Sequence, residues 1–455
     1  MEIIKKIILY SIIICFSLVL SYYLGKNGVL ITLLVVAGTI YISEKLNFKR
    51  FWLLLFIISL MVRLIVILVI DTPIASDFAV MYNTARQLLV GDMSYTTSGY
   101  IITWGYQMGH TIYMTMLLKL IDSVIFLKIV NCLFTAGITV LIYLIAREIA
   151  SEKASRIVSV LYVFFPFPLL LNTVLTNQHV SLFFILLALY ILIGKRFLNF
   201  NPYLKNIIIG LSLAIANIIR PEIIVIITSL IIYLFVTSKK NDYKQNIFGF
   251  IIILVTYFII FNTTSAILTK TNISPSGLEN KNPIWKFVLG FNHETNGVYS
   301  ASDASKYSGI SRQDIAKEEL MERSVGSIKK IPILFIKKSV ILWTNHDLKW
   351  SVGNFKYQTV LEKKGDFNIF YNVVNNINQI MIISILIMFV LGVIYYLKNK
   401  TSEKALLFII IALVYFGVYL LIEIAPRYAY APQVLLIITS ALGYDYLRTK
   451  IKINK

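Results

Sequence analysis

The sequence predicts an all-α polytopic membrane protein with about twelve transmembrane helices, and three observations carry that reading. Of 455 residues, 58% are hydrophobic and only 15% charged. One soluble core of this size could not enclose so much apolar surface. The apolar residues come in blocks of about 14–24, enough for a helix to cross roughly 30 Å of hydrocarbon. Ile, Leu, Val and Phe fill these blocks without strict alternation, which argues against a β-barrel.

Taken in order, the expected spans are 3–24, 28–43, 51–70, 123–147, 154–172, 179–195, 205–219, 221–237, 246–268, 379–397, 403–422 and 427–447. The first has lysines before it and no small-residue cleavage site after it, so it reads as a retained span, not a signal peptide. With the N-terminus inside, the short cytoplasmic connections hold Lys45, Lys49 and Arg50, then Arg147, Lys153 and Arg156, then Lys195, Arg196 and Lys205. Lys239, Lys240 and Lys244, then Lys398, Lys400 and Lys404, continue the series, and the tail adds Arg448, Lys450, Lys452 and Lys455. Short outer connections hold little beyond Lys26, Arg220 and Arg427. This is the positive-inside bias, and it explains the net charge of +20 without nucleic acid as a partner. Counting Tyr100–Ile121 as a span would reverse two basic loops, so it and the short Ile331–Thr344 are expected to be interfacial or re-entrant helices. Cys15 and Cys132 lie inside apolar blocks and offer neither a disulfide framework nor a zinc site.

The resulting organisation is an N-terminal transmembrane region, 1–268, with an outer loop at 71–122. An extracytoplasmic loop or small domain, 269–378, and a C-terminal transmembrane region, 379–455, follow. The first outer loop should open with an amphipathic helix capped by Ser76, with Asp77 in its first turn and Gly91 at its end. Its apolar face would be Phe78, Met81, Tyr82, Ala85, Leu88 and Leu89. In the second, Ser311 and Asp314 read as a capping box opening a helix to about Arg323.

Chemistry is expected where ionisable residues meet the outer boundary. Asp77 either favours the helix N-terminus or takes a proton from an incoming hydroxyl; Asp92 is a weaker version of the same idea. Arg220-Pro221-Glu222 is either a mutual ion pair in a broken helix or an arginine aimed at a phosphate. Glu423, Arg427 and Tyr428, around Pro426, repeat the pattern as an interfacial anchor or a second phosphate contact. His110, His179, His293 and His346 all fall outside in this topology, without paired metal-ligand spacing. Asn292 and Asn296, in the turn Gly290–Gly297, could hydrogen-bond a sugar or simply form a loop. No P-loop, nucleophile elbow or dinucleotide-binding glycine pattern occurs.

These residues resemble the GT-C superfamily of membrane glycosyltransferases, especially the branch of protein O-mannosyltransferases and the aminoarabinose transferase of lipid A. The resemblance lies in Ala75-Ser76-Asp77-Phe78 with Tyr82 and Ala85, in Gly210-Leu211 through Ile219-Arg220-Pro221, and in Glu423 with Pro426-Arg427-Tyr428 and Pro432. It implies transfer of a sugar from a polyprenyl-phosphate donor to a cell-envelope acceptor (glycolipid, polymer or protein) on the extracytoplasmic face of the plasma membrane. Asp77 would be the base or acceptor-positioning carboxylate, and Arg220 and Arg427, with Tyr428, would hold the lipid phosphate. Glu222, Glu423, His179, Asn292 and Asn296 would support them. Many members carry a second acid in the next outer loop, whereas 172–178 has Asn172, Thr173, Asn177 and Gln178 before His179. That departure leaves a divalent-metal requirement open and keeps a catalytically inactive scaffold in play. A polysaccharide polymerase, flippase or transporter is the alternative, although unequal halves and boundary charges are unlike the duplicated halves of secondary transporters.

Overall fold

The computed structural model describes residues 5–7, 9–10, 48–238, 243–344, 348–354, 367–399 and 402–453. Most of spans 3–24 and 28–43, with Cys15, Lys26, Lys45, Lys239, Lys240, His346, Lys400 and Lys455, lies outside the described residues. Within them the protein is helical, with no β-strand and two isolated bridges, Trp104 with Asn280 and Val298 with Ile424.

The helices follow the apolar blocks. They are α1 (Phe51–Val69), α2 (Ser76–Leu89), α3 (Met108–Leu120), α4 (Val124–Ile149), α5 (Glu152–Phe164), α6 (Pro166–Leu171), α7 (Gln178–Ile193), α8 (Pro202–Ile219) and α9 (Ile223–Thr237). Then come α10 (Tyr243–Lys270), α11 (Trp285–Gly290), α12 (Ala301–Tyr307), α13 (Gln313–Met321), α14 (Ile331–Thr344), α15 (Phe367–Asn399), α16 (Lys404–Leu421) and α17 (Tyr430–Ile453). By length and composition α1, α4, α8, α10, α15 and α16 can cross a membrane, and α7 and α9 are shorter apolar helices.

Two helices show the range of environments. From Tyr430 to Tyr444 every residue of α17 is buried, against α15, α5, α16 and α4. Such a helix tolerates Gln433, Thr439 and Ser440, because its surroundings are protein. By contrast, α10 buries only Ile253, Tyr257 and Leu268 and leaves Phe248, Val255, Phe258 and Ile259 bare, as a lipid-facing helix does.

Local chemistry corrects some expectations. Span 154–172 is two helices, since Pro166 lacks an N–H and Phe165 before it is extended (φ −70°, ψ 116°). Pro166 starts α6, and Asn378 Oδ1 accepts the Phe167 N–H at 3.1 Å. Ser76 does not cap α2; Ala75 precedes the helix without a side-chain cap bond, while Asp77 does lie in the first turn and Gly91 (φ 79°) follows its end. Ser311 is likewise no cap, because a 3₁₀ turn, Ile310–Arg312, leads directly into α13. Tyr100–Ile121, in contrast, forms no long apolar helix, in keeping with its reading as a non-spanning segment: α3 has 13 residues and packs against α2. Phe78, Met81 and Ala85 meet Met114, Leu118, Val174 and Leu175 there, so the amphipathic face turns to the bundle.

The basic connections collect at one end of the bundle. There Lys404 pairs with Glu148 at 2.7 Å, Glu148 also accepts the Lys195 N–H at 3.0 Å, and Arg156 pairs with Glu152 at 3.0 Å. The loops after α1, α2, α6, α8, α10 and α16 gather at the other, where the cavity described next opens.

Candidate functional site

Helix boundaries supply the site. Asp77 is carried by the first turn of α2, and Arg220 ends α8, where Pro221 breaks the apolar run before Glu222 opens α9. After α16 comes Glu423, and Pro426 starts a 3₁₀ turn, Pro426–Ala429, that carries Arg427 and Tyr428 into α17. At Gly109 a Cβ would run into the Ile218 carbonyl, so glycine lets α3 close on the end of α8 beside Arg220.

These residues line one cavity of about 740 Å³. Asp77, Arg220, Glu222, Glu423, Arg427 and Tyr428, expected from the sequence, all face it. The two outer segments add residues that sequence reasoning missed: Tyr100, Trp104, Tyr106 and Gln107 between α2 and α3, and Asn280, Trp285 and Lys286 after α10. Their one signal was aromatic and amide residues gathered in outer segments that lack helical periodicity.

Tyr428 is the hub. Arg220, Lys286 and Arg427 approach its ring at 5.5, 5.6 and 5.4 Å, within cation–π range. Each cation also has a carboxylate. Arg220 pairs with Glu222 and donates to Asn177 Oδ1 at 3.1 Å. Lys286 pairs with Glu423 and donates to the Tyr428 hydroxyl at 3.3 Å. Arg427 Nη2 stands 3.7 Å from Asp77 Oδ2, with its guanidinium 5.6 Å from the Phe78 ring.

Exposure separates the carboxylates. The Asp77 side chain is 44% exposed, against 13% for Glu222 and 6% for Glu423, so Asp77 is the one open to an incoming group. Burial opposes the charge on Arg220, but Glu222 outweighs it and holds the guanidinium firmly protonated. Burial pushes the hydroxyl of Tyr106 up to about 12 and that of Tyr100 further, with Asp77 adding to the second, so both remain protonated donors.

The carboxylate-free loop 172–178 acts through its amides. Asn177 holds Arg220, and Gln178 Nε2 donates to the Arg427 carbonyl at 2.7 Å. His179 does not reach the cavity: its Nδ1 lies 3.1 Å from the buried Tyr430 hydroxyl and its Nε2 3.2 Å from the Leu171 carbonyl. Asn292 and Asn296 are also outside its lining. Asn292 donates to Asp303 at 2.7 Å and closes its own turn through the Glu294 and Thr295 N–H groups; Asn296 adopts φ 54° in that turn. Asp92 accepts from Ser94 N and Gln87 Nε2 as a turn residue. His110, buried in α3 and stacked on Tyr113, is pulled down to about 4 by burial and is neutral at pH 7.

Among the described residues no group of three or more His, Cys, Asp or Glu is placed to hold a metal ion. Asp77 faces an arginine, which is the wrong neighbour for a cation ligand. Among the described residues the cavity's donor set therefore does not fit a divalent metal, and no step below uses one.

Fold and site define a polytopic all-α membrane protein with an ionic, aromatic-walled cavity at one end of its bundle. Residues 110–267 match the family of dolichyl-phosphate-mannose-protein mannosyltransferases, a stretch that includes Asn177, Arg220 and Glu222 but neither Asp77 nor Arg427. That stretch is well under half of the chain, so the match marks a similarity to this family of membrane glycosyltransferases. Among solved structures the chain is similar to the archaeal oligosaccharyltransferase AglB from Archaeoglobus fulgidus, in complex with an inhibitory peptide and a dolichol-phosphate. Identity is 11% and the TM-score 0.47, over 89% of this chain and 51% of that one, so the chain spans about half its length. No curated protein matches the sequence significantly.

Proposed function

We propose that the protein transfers a sugar from a polyprenyl-phosphate donor to a cell-envelope acceptor, at a site on the extracytoplasmic side of the plasma membrane. One observation carries the reading. Asp77, Arg220, Lys286 and Arg427, far apart in sequence, line a single cavity around Tyr428.

The donor has three parts, and the site has a surface suited to each. Arg427 and Arg220 offer planar forks to the phosphate. Trp104, Tyr106 and Tyr100 offer faces and hydroxyls to a sugar. A smaller apolar groove, lined by Phe167, Leu170, Leu171, Val174 and Trp350, shares Phe78 and Arg427 with the main cavity and suits the start of an isoprenoid chain.

In this reading Asp77 accepts the proton of the acceptor hydroxyl as its oxygen bonds to the anomeric carbon. The bond from that carbon to the phosphate oxygen breaks, and polyprenyl phosphate leaves with inversion at carbon. Arg427 and Arg220 face the charge that develops on the departing phosphate.

The test is donor consumption in membranes that supply the acceptor, with a panel of polyprenyl-phosphate sugars. Asp77→Asn should lower the rate about 10²-fold or more while donor binding persists. Undiminished transfer by that variant rejects Asp77 as the base. Donor that crosses the bilayer unconsumed in the wild type identifies a flippase instead.

A further inference from the structure

We propose that Lys338 is a positioning residue for this site, its side-chain nitrogen fixing the Lys286–Glu423 pair in the cavity wall from outside the cavity. The sequence shows Lys337 and Lys338 interrupting an apolar stretch, and the structure treats them differently. Lys337 is exposed, whereas Lys338 is 1% exposed, turned inward from α14.

Its Nζ donates to three carbonyls: Gly290 at 2.8 Å, Leu420 at 2.7 Å and Ile422 at 2.8 Å. Three carbonyl acceptors satisfy the N–H bonds of this buried amine, and burial pulls its pKa down to about 7, so the charged and neutral forms both occur near neutral pH and both donate here. Two of those carbonyls end α16, immediately before Glu423, and the third ends α11, which carries Lys286. In its protonated form the nitrogen also meets the negative dipole ends of the converging helix C-termini. The same joint is closed by the Glu423 N–H donating to the Lys286 carbonyl at 2.7 Å and by Ile424 donating to Gly297 at 2.8 Å. Gly297 (φ 79°) leaves room for the lysine stem, which a Cβ there would strike. Thus one lysine nitrogen ties both partners of an ion pair that it does not touch.

The proposal concerns the cavity wall and does not depend on the identity of the ligand. Its test is the reactivity of Lys286. Around that amine stand Tyr428 and Glu423 from one turn and Tyr106 from another segment. Burial opposes the charge on Lys286, but these neighbours outweigh it and raise its pKa above the ordinary lysine value. Purified full-length protein is acetylated with an amine-reactive ester from pH 7 to 10, and each lysine is quantified by peptide mass spectrometry. Lys338→Met should speed Lys286 acetylation at pH 8 by about tenfold, the effect of one pKa unit. The change should run in the direction set by Glu423→Gln, with exposed Lys329 unchanged and buried Lys128 still protected. A Lys286 profile identical to wild type overturns the proposal. If Lys128 becomes reactive, Lys338→Met has unfolded, and Lys338→Gln, which keeps two N–H donors, carries the test with the same two outcomes.

Discussion

At Arg220 a single side chain makes geometry visible as chemistry. Its planar head meets Glu222, Asn177 and the Tyr428 face together, through three differently directed contacts. A lysine keeps the charge but has one nitrogen to offer. Arg220→Lys should therefore weaken binding of a short polyprenyl phosphate about tenfold, measured by calorimetry, while leaving the fold intact. The residues legible in the sequence share one property. Asp77, Arg220, Glu222, Glu423, Arg427 and Tyr428 stand where an apolar run gives way, so local contrast exposes them. Trp104 and Tyr106 lie in an irregular segment and Lys286 in a helix of only six residues, where nothing local marks them out. His179 misleads for the opposite reason: its polar neighbourhood is local, but Tyr430, its partner, is 251 residues away.

Among the elements, the segment after α10 depends on one buried ionic joint. Arg323 reaches Asp303 through two bonds of 2.7 and 3.0 Å, and Asn292 adds a third at 2.7 Å, joining α12, the π-helical turn after α13 and the turn after α11. Burial disfavours the Asp303 charge, but Arg323 and Asn292 hold its carboxyl below the ordinary value. A lowered folded pKa means that the stabilisation is complete above the ordinary carboxylate range and fades as pH falls through the folded value. Asp303→Asn should cost the segment about 3 kcal/mol at neutral pH, as expected for a buried pair that loses one partner. Faster amide exchange across residues 301–323 is the measurement, and the difference from wild type should shrink in acid. The helices were legible because apolar runs set their lengths. The split at Pro166 was missed because apolar residues continue on both sides of it. The inward turn of Lys338 was hidden because its acceptors are 48, 82 and 84 residues distant.

For the whole molecule, the arrangement of the two ends makes a topological prediction. Basic loops gather opposite the cavity, so the positive-inside rule predicts a cavity on the extracytoplasmic face. In a variant lacking Cys15 and Cys132, Ser305→Cys on exposed α12 should react with an impermeant maleimide in intact cells. Asn199→Cys, in the loop between α7 and α8, should react only after permeabilisation. The reverse pattern would turn the protein over and reject an extracytoplasmic site.

The lining of the cavity also contains an electrical balance. Its ionised side chains are three cations, Arg220, Lys286 and Arg427, and three carboxylates, Asp77, Glu222 and Glu423. A donor phosphodiester brings one negative charge into a neutral enclosure. In the proposed reaction the proton passes to Asp77 as charge passes to the leaving phosphate, so the total stays at minus one through the bond change. Only when Asp77 returns its proton to water does the enclosure gain a second negative charge, which then repels the spent carrier. Carrier release would thus be timed by recovery of the base, and a solvent deuterium effect should appear on turnover even where sugar transfer itself is fast.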